Sequence, residues 1–252
     1  MNTAVITGAS SGLGKEYVSE VLKQYPDLDE IWVLARRKER LEELKEMLSD
    51  KIRPIAIDLT DQNGIENYVA LLKEKDAKVK LLINNAGFGK LGNFDTLNTA
   101  DNAGMVRLNC ESLTVMTSVT LPFMPDGSEI INTCSIASFT PNARMAVYSS
   151  TKAYVMSLSR CLREELKIRK INVLAVCPGP MDTEFLPLAN ISKGVSHTFD
   201  TLPRVNPTVM ARKSLKASKR GKAVYTNLLF YKFYRLVAKI LPHSLVMKMA
   251  KA

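Results

Sequence analysis

Short apolar runs alternate with helical patterns along most of this 252-residue chain. Each run is four to six residues long, and together they cover residues 3–7, 30–35, 53–57, 79–83, 129–132 and 171–176. Such runs are typical of strands that are buried on both faces. The alternation therefore indicates an α/β fold in three layers, a parallel sheet with helices on both sides. The length suits one large domain, residues 1–252, and is short for two.

A glycine-rich turn joins the first apolar run to the first helical pattern. Gly8, Gly12 and Gly14 follow the spacing G-x-x-x-G-x-G. Glycines at this junction permit a sharp turn, let backbone N–H groups approach a pyrophosphate, and let the helix pack closely. The second run ends in Arg36 and Arg37, with no carboxylate. Because arginine there suits a ribose 2′-phosphate, we expect the site to prefer NADP(H), with NAD(H) the weaker ligand.

The segment 133–152 places a serine near a tyrosine and a lysine. Ser135 follows the fifth run, and Tyr148 and Lys152 are spaced i, i+4 on one helix face. A nearby ammonium favours the phenolate, so Tyr148 is a candidate proton donor or acceptor, with Ser135 positioning the substrate oxygen. The alternative interpretation is a packed aromatic side chain beside a solvated cation.

Other polar or turn-forming residues follow the remaining strand ends. Asp58 and Leu59 end the third run, and Asn85, Ala86 and Gly87 follow the fourth, while the sixth is followed by a turn containing Pro178, Gly179, Met181 and Thr183. Asn109 lies within a long helical pattern over residues 103–123. Its amide is also consistent with a core residue bonded to a nearby carbonyl.

With these motifs in this order, residues 2–185 resemble the short-chain dehydrogenase/reductase family. The resemblance is carried by Thr-Gly-Ala-Ser-Ser-Gly-Leu-Gly at 7–14, Asn-Asn-Ala-Gly at 84–87, Asn109, Ser135, Tyr148-x-x-x-Lys152 and the Pro-Gly pair at 178–179. It implies a doubly wound, Rossmann-type sheet and hydride transfer between a nicotinamide cofactor and a carbonyl carbon. The implied catalytic set is Asn109, Ser135, Tyr148 and Lys152.

The resemblance also implies a role for each member of that set. Tyr148 is the expected general acid in reduction and base in oxidation, and Lys152 is expected to lower its pKa and hold the nicotinamide ribose. Ser135 is expected to bind the carbonyl oxygen, and Asn109 to support a water-linked proton path through Lys152. The implied subunit pairing, through helices near 103–123 and 148–168, gives a homodimer or homotetramer.

The cofactor contacts that the resemblance implies come from every strand end. They are Gly8, Ser10, Ser11, Gly12, Leu13, Gly14, Arg36, Arg37, Asp58, Leu59, Asn85, Ala86, Gly87, Tyr148, Lys152, Pro178, Gly179, Met181 and Thr183. Arg36 matches the position where NADP-preferring members carry a basic residue. Ser11 departs from the pattern, because many of those members carry a cation there. The preference for NADP(H) therefore depends largely on Arg36, with help from Arg37.

Cysteine and histidine usage argues against metal chemistry. The four cysteines show no C-x-x-C pairing, and there are only two histidines, so we expect neither a metal site nor a disulfide framework. Reduced thiols, no signal peptide and no apolar run long enough to span a membrane favour a cytoplasmic protein.

The C-terminal fifth carries the excess positive charge. Residues 201–252 contain 12 of the 35 Lys and Arg residues and no Asp or Glu. We expect a mobile substrate lid at about 186–220 and a basic, apolar helical tail at about 227–252, in which Lys232, Arg235 and Lys239 form a basic stripe. The tail either covers the substrate cleft or a subunit interface, which we favour, or lies on a membrane surface.

Three interpretations of function follow. The first is an NADP(H)-dependent enzyme for a small-molecule carbonyl or alcohol substrate, and an apolar tail suits a steroid or a long-chain carbonyl compound. The second is a non-catalytic NADP(H)-binding regulator of the same fold, which need not keep the proton-transfer set. The third is a nucleic-acid-binding protein, which we disfavour because the tail lacks a recognised motif for that role.

Overall fold

A seven-stranded parallel sheet organises residues 1–249, the part of the chain that the computed structural model describes. Its spatial order is β3-β2-β1-β4-β5-β6-β7: β2 and β3 are added on one side of β1, and β4 to β7 on the other. The strands are β1 Asn2–Thr7, β2 Glu30–Ala35, β3 Ile52–Ala56, β4 Lys78–Asn84, β5 Glu129–Thr133, β6 Asn172–Val176 and β7 Val224–Tyr225. The predicted three-layer, doubly wound sheet is confirmed.

Helices cover both faces of this sheet. They are α1 Gly12–Gln24, α2 Lys38–Leu48, α3 Gln62–Glu74, α4 Thr99–Val106, α5 Leu113–Thr120, α6 Ala146–Glu165, α7 Phe185–Leu188, α8 His197–Thr201, α9 Pro207–Lys219, α10 Leu229–Ile240 and α11 His243–Met249. Within residues 1–249, none of them combines the length and the apolar character needed to cross a bilayer.

Side chains along each strand alternate between two cores. In β2, Ile31 and Val33 pack with α1, α2 and α9, whereas Trp32 and Leu34 pack with α3 and α5. All four side chains are buried. Because successive strand residues point to opposite faces, a continuous apolar run is what a sheet covered on both sides requires.

The predicted helix over residues 103–123 is interrupted. α4 begins earlier, at Thr99, where the Asn98 side chain caps it by accepting from Ala100 N–H at 2.7 Å. A π-helical turn, Arg107–Ser112, then separates α4 from α5, and a 3₁₀ turn ends the segment at Phe123. The π turn changes the helix phase, which periodicity averaged over the whole segment does not reveal.

Candidate active site

A large cavity lies along the carboxyl edge of the sheet. Its volume is about 910 Å³, and it is lined by the glycine-rich turn, the ends of β2 to β6, the start of α6 and the inner face of α10. The order of the strands places the ends of β1 and β4 side by side at its centre. This is the point in an open α/β sheet where ligands bind.

The glycine-rich turn is shaped by close backbone contacts. Gly8 and Gly12 have φ of +67° and +52°, which glycine adopts without strain. A Cβ on Gly14 would lie 2.1 Å from the Gly8 carbonyl oxygen. Gly14 therefore lets α1 approach the turn, and it does not itself line the cavity. The prediction that Gly14 contacts the cofactor stays a prediction.

A threonine fastens the end of β1 to the end of β4. Thr7 Oγ1 accepts hydrogen bonds from the backbone N–H groups of Asn85, at 3.0 Å, and Ala86, at 3.1 Å. The Asn85 side-chain amide donates back to the carbonyl oxygens of Thr7 and Gly8, both at 3.3 Å. These hydrogen bonds therefore hold the first and fourth predicted cofactor segments together.

The two arginines after β2 differ in their surroundings. Arg37 donates to Glu184 at 3.0 Å and to Ser10 Oγ at 3.1 Å, and Arg40 pairs with the same carboxylate. These guanidinium groups hold the pKa of Glu184 below its usual range. Arg36 is exposed and has no ion-pair partner among residues 1–249. Its guanidinium is therefore available to an anionic group in the cavity.

Asp58 lies across the cavity from the glycine-rich turn, near Arg36. The Thr60 backbone N–H, donating at 2.9 Å, is the main cause of a lowered Asp58 pKa, and the Arg36 charge contributes. Together these residues fit a nucleotide: the turn offers close backbone approach to a diphosphate, and Arg36 lies free where β2 ends. The other predicted contacts, from Leu59 to Thr183, also line the cavity.

Ser135, Tyr148 and Lys152 meet at the opposite end of the cavity. All three are buried and line it. The Lys152 ammonium donates to the Thr133 carbonyl oxygen at 2.8 Å and lies 5.8 Å from the centroid of the Tyr148 ring. The Ser135 Oγ accepts from Ala137 N–H at 3.2 Å, and its hydroxyl hydrogen-bonds the Tyr148 phenol. The predicted three-residue cluster therefore forms.

Burial dominates the titration of this cluster. It raises the pKa of Tyr148 to about 12, and the hydrogen bond with Ser135 offsets part of that rise. Burial also lowers the pKa of Lys152, because the charged ammonium loses solvation. The Tyr148 pKa therefore lies above its ordinary value, whereas the resemblance implied a pKa lowered by Lys152.

Asn109 stands behind the cavity wall and does not line it. Its Nδ2 donates to the Phe88 carbonyl at 2.8 Å and to Thr151 Oγ1 at 3.0 Å, and its Oδ1 accepts from Phe88 N–H at 3.0 Å. A Cβ on Gly87 would lie 2.8 Å from Asn109 Oδ1 and 3.5 Å from Lys152 Nζ, so both side chains converge there. The π-helical turn presents the amide at this point.

The apolar half of the cavity comes largely from residues that sequence reasoning did not assign to the site. Phe185 packs on Tyr148, with ring centroids 5.8 Å apart, and Tyr234 of α10 packs on Phe139 at 5.9 Å. A Cβ on Gly89 would lie 2.7 Å from Tyr148 Cδ2, so this glycine admits the ring. The distance in sequence between α10 and the strand ends left no local signal for these contacts.

The predicted lid contributes side chains to the same cavity. Leu186, Leu188, Thr198, Phe199 and Leu202 line it, and the short helices α7 and α8 carry four of these five. His197 begins α8 and is not among the lining residues. The four cysteines are free, and the described residues contain no group of His, Cys, Asp and Glu that could hold a metal ion.

Comparisons with known proteins place this geometry among related enzymes. A family model for short chain dehydrogenases matches residues 2–192. The NADP-dependent 3-hydroxy acid dehydrogenase of Schizosaccharomyces pombe is 32% identical over 191 residues, covering 73% of each chain. The very-long-chain 3-oxoacyl-CoA reductase of Bos taurus is 29% identical over 262 residues, covering 98% of this chain and 78% of the relative.

A solved structure agrees over nearly the whole chain. The short-chain dehydrogenase from Sphingobium yanoikuyae, in complex with NADPH, superposes with a TM-score of 0.78 at 27% identity. It covers 97% of this chain and 98% of its own.

Proposed function

This chain belongs to the short-chain dehydrogenase family, and on that premise we propose that it interconverts a ketone or aldehyde and an alcohol with NADP(H). One observation carries the proposal: Ser135, Tyr148 and Lys152 meet at one end of a cavity whose other end holds the glycine-rich turn and Arg36. Both sets of residues line the same cavity, so a nucleotide and a carbonyl compound can occupy it together.

NADP(H) is the cofactor that this site and its relatives favour. The S. pombe relative is named as NADP-dependent, and the S. yanoikuyae structure contains NADPH. In this chain, Arg36 has no ion-pair partner among the described residues, whereas Arg37 is engaged by Glu184. Arg36 is therefore the residue that we assign to the 2′-phosphate, with Arg37 available if Glu184 moves.

The proposed proton transfer follows from the positions of the buried side chains of Ser135, Tyr148 and Lys152. The bound cofactor supplies or accepts the hydride at the carbonyl carbon. Tyr148, whose pKa burial raises to about 12, stays protonated at neutral pH and can donate its proton to the substrate oxygen. Ser135 hydrogen-bonds the same oxygen, and the Lys152 ammonium is the cation placed to stabilise the phenolate that remains.

Asn109 has a positioning role in this proposal. Two of its three hydrogen bonds fix the Phe88 backbone, the third goes to Thr151, and its oxygen lies beside Gly87, next to Lys152. It thereby holds the wall against which the lysine packs. A water-linked proton path through Asn109 and Lys152 stays a prediction.

An apolar substrate suits the lining at the tyrosine end. Phe88, Phe185, Phe199, Phe230 and Val237 come together there from four separate segments. The bovine relative that matches almost the whole chain is named for a very-long-chain 3-oxoacyl substrate. We therefore favour a long-chain carbonyl compound, with a ketosteroid as the second class of substrate.

The test is NADPH consumption against long-chain ketones and aldehydes, ketosteroids and sugars, with Tyr148→Phe alongside. We expect turnover of an apolar carbonyl compound, and a loss of about 10²- to 10⁴-fold in Tyr148→Phe with NADPH affinity retained. Tyr154→Phe is the matched control, because Tyr154 lies on the same helix and its hydroxyl shares a hydrogen bond with Thr114, away from the cavity. Undiminished turnover in Tyr148→Phe would remove this residue from the proton-transfer role.

A non-catalytic NADP(H)-binding regulator of the same fold is the second candidate. It predicts tight NADPH binding with no turnover of any compound in the panel and no effect of Tyr148→Phe on the regulated partner. A homodimer or homotetramer, a cytoplasmic location, and the lid at about 186–220 and tail at about 227–252 within one domain remain predictions. Sedimentation equilibrium with Val106→Glu, an exposed residue of α4, tests the subunit pairing.

A further inference from the structure

The outward face of α10 is an exposed apolar stripe. Leu229, Phe233, Leu236 and Ile240 recur at helical spacing, and the exposed fractions of Leu229, Phe233 and Ile240 are 79%, 67% and 69%. The opposite face is buried through Tyr231 and Ala238. At 100° per residue, the stripe is centred almost directly away from the core. A continuous exposed patch of large apolar side chains usually marks a surface that binds a partner, so we ask what covers the stripe.

Cations border the stripe along one side. Lys232, Arg235 and Lys239 follow each other on the adjacent face of α10. Lys232 and Arg235 also line a groove of about 720 Å³, which we call the basic groove; its other cations include Lys213, Lys216, Arg220 and Lys222 from α9 and the segment after it. Every charged residue lining the basic groove is positive, and none has an ion-pair partner among residues 1–249.

We propose that α10 docks this protein on the surface of an anionic lipid bilayer. In this arrangement, the apolar stripe lies among the upper acyl chains, and the cations of α10 and the basic groove face the lipid phosphates. The helix lies in the membrane plane and does not cross it, which fits its 12 residues. Apolar insertion and attraction to anionic headgroups then act together.

The same charges argue against a second copy of the chain as the partner. A symmetric contact through α10 would bring Lys232, Arg235 and Lys239 of each copy close to the same residues of the other. Residues 201–252 contain no Asp or Glu that could compensate them. Nucleic acid would satisfy the cations and leave the apolar stripe in water. An anionic bilayer satisfies both features.

Docking in this way would place the catalytic cavity beside the membrane. Phe230 and Val237 line that cavity and lie on α10 between the apolar stripe and the buried face. An apolar carbonyl compound dissolved in the bilayer would then reach the cavity along this edge of the helix. This second step rests on the proposed function, whereas the docking itself does not.

The experiment is flotation of the full chain with vesicles of pure phosphatidylcholine and of phosphatidylcholine with 30% phosphatidylglycerol, at low and high salt. We expect binding to the anionic vesicles that weakens with salt. Lys216→Gln with Lys222→Gln should lower the partition coefficient about 25-fold, at roughly fivefold per cation. Phe233→Ser with Leu236→Ser should lower it by at least about tenfold.

Two controls separate the surface from general effects. Ile168→Ser removes an apolar side chain that is 89% exposed outside α10, and Lys73→Gln with Lys78→Gln removes two exposed charges elsewhere. Neither should change the partition. None of the substituted residues lines the catalytic cavity, so NADPH binding, measured on each variant, reports that the protein is folded.

Each result of the vesicle experiment either supports or overturns the proposed docking. Weaker binding to anionic vesicles in both the basic-groove variant (Lys216→Gln with Lys222→Gln) and the apolar-stripe variant (Phe233→Ser with Leu236→Ser), with unchanged controls, supports the proposal whatever the substrate proves to be. Absence of vesicle binding, or equal binding to neutral vesicles, overturns it. A wild-type dimer that Phe233→Ser with Leu236→Ser converts to a monomer, without any vesicle binding, would instead assign the stripe to a second copy.

Discussion

Gly179→Ala should loosen α10 from the catalytic cavity. A Cβ at this position would lie 2.3 Å from Tyr231 Cε2, 2.5 Å from Cζ and 2.8 Å from the hydroxyl oxygen, where ordinary contacts are 3.4 Å or more. The φ of Gly179 lies outside the left-handed region, so alanine adds no backbone strain. The whole effect must therefore come from the collision with the Tyr231 ring.

The ring has little room to move. Tyr231 is fully buried, and its hydroxyl donates to the Pro203 carbonyl at 2.6 Å. Overpacking costs about 1–3 kcal/mol, and loss of the hydrogen bond adds about 1 kcal/mol. We therefore expect Gly179→Ala to lower the free energy of unfolding by about 2–4 kcal/mol. Urea unfolding followed by the fluorescence of Trp32, the single and fully buried tryptophan, measures it.

A double-mutant cycle isolates the collision. Tyr231→Leu keeps carbons as far as the Cδ positions and removes the three atoms that would collide. Gly179→Ala should then cost less than about 1 kcal/mol in the Tyr231→Leu background, a coupling of about 2 kcal/mol. Additive effects in this cycle would refute the reasoning. Gly104→Ala is the control, because its nearest contact is the Phe88 ring edge at 3.2 Å and α4 favours alanine.

Three further perturbations test other parts of the molecule. Arg36→Ala should weaken NADPH binding about 10- to 100-fold and leave NADH binding nearly unchanged, by calorimetric titration; equal losses for both would place the 2′-phosphate elsewhere. Asn109→Ala should lower the free energy of unfolding by about 2–4 kcal/mol, because the Phe88 N–H and carbonyl lose their partners. Burial raises the pKa of Tyr68 and Tyr148, so each phenol contributes stability below pH 10, and this contribution is lost as the pH rises. The free energy of unfolding, measured with urea at pH 8, 10 and 11, should therefore decline less with pH in Tyr68→Phe than in the wild type.

Most of the fold was predictable because six of the seven strands coincide with short apolar runs in the sequence. β2 occupies the predicted residues 30–35. The structure adds that the Asp61 carboxylate caps α3 by accepting from Gly64 N–H at 3.1 Å. A short apolar run followed by a turn residue and a helical pattern needs no long-range information. The π-helical turn between α4 and α5 does need it, because the phase change accommodates a contact with Phe88, 21 residues away.

The catalytic cluster was predictable from the sequence, whereas the wall formed by α10 was not. Ser135, Tyr148 and Lys152 lie within 18 residues of one another, and the sheet topology alone brings the strand ends together. The wall formed by α10 was not predictable residue by residue, since Tyr234 and Phe139 are 95 residues apart. The pKa of Tyr148 also depends on burial that sequence spacing does not report.

Different hydrogen bonds hold the two halves of the cavity, while Tyr231 packs in the same apolar core as Ala9 and Leu13 of the glycine-rich turn. The cofactor half depends on Thr7 hydrogen bonds between β1 and β4 and on the close approach of Gly14 to Gly8. The substrate half depends on Tyr231 packed over Gly179 and tied to Pro203. No direct contact joins these two sets among the hydrogen bonds of residues 1–249. We therefore expect substitutions on the outward face of α10 to leave the geometry of the nucleotide site unchanged.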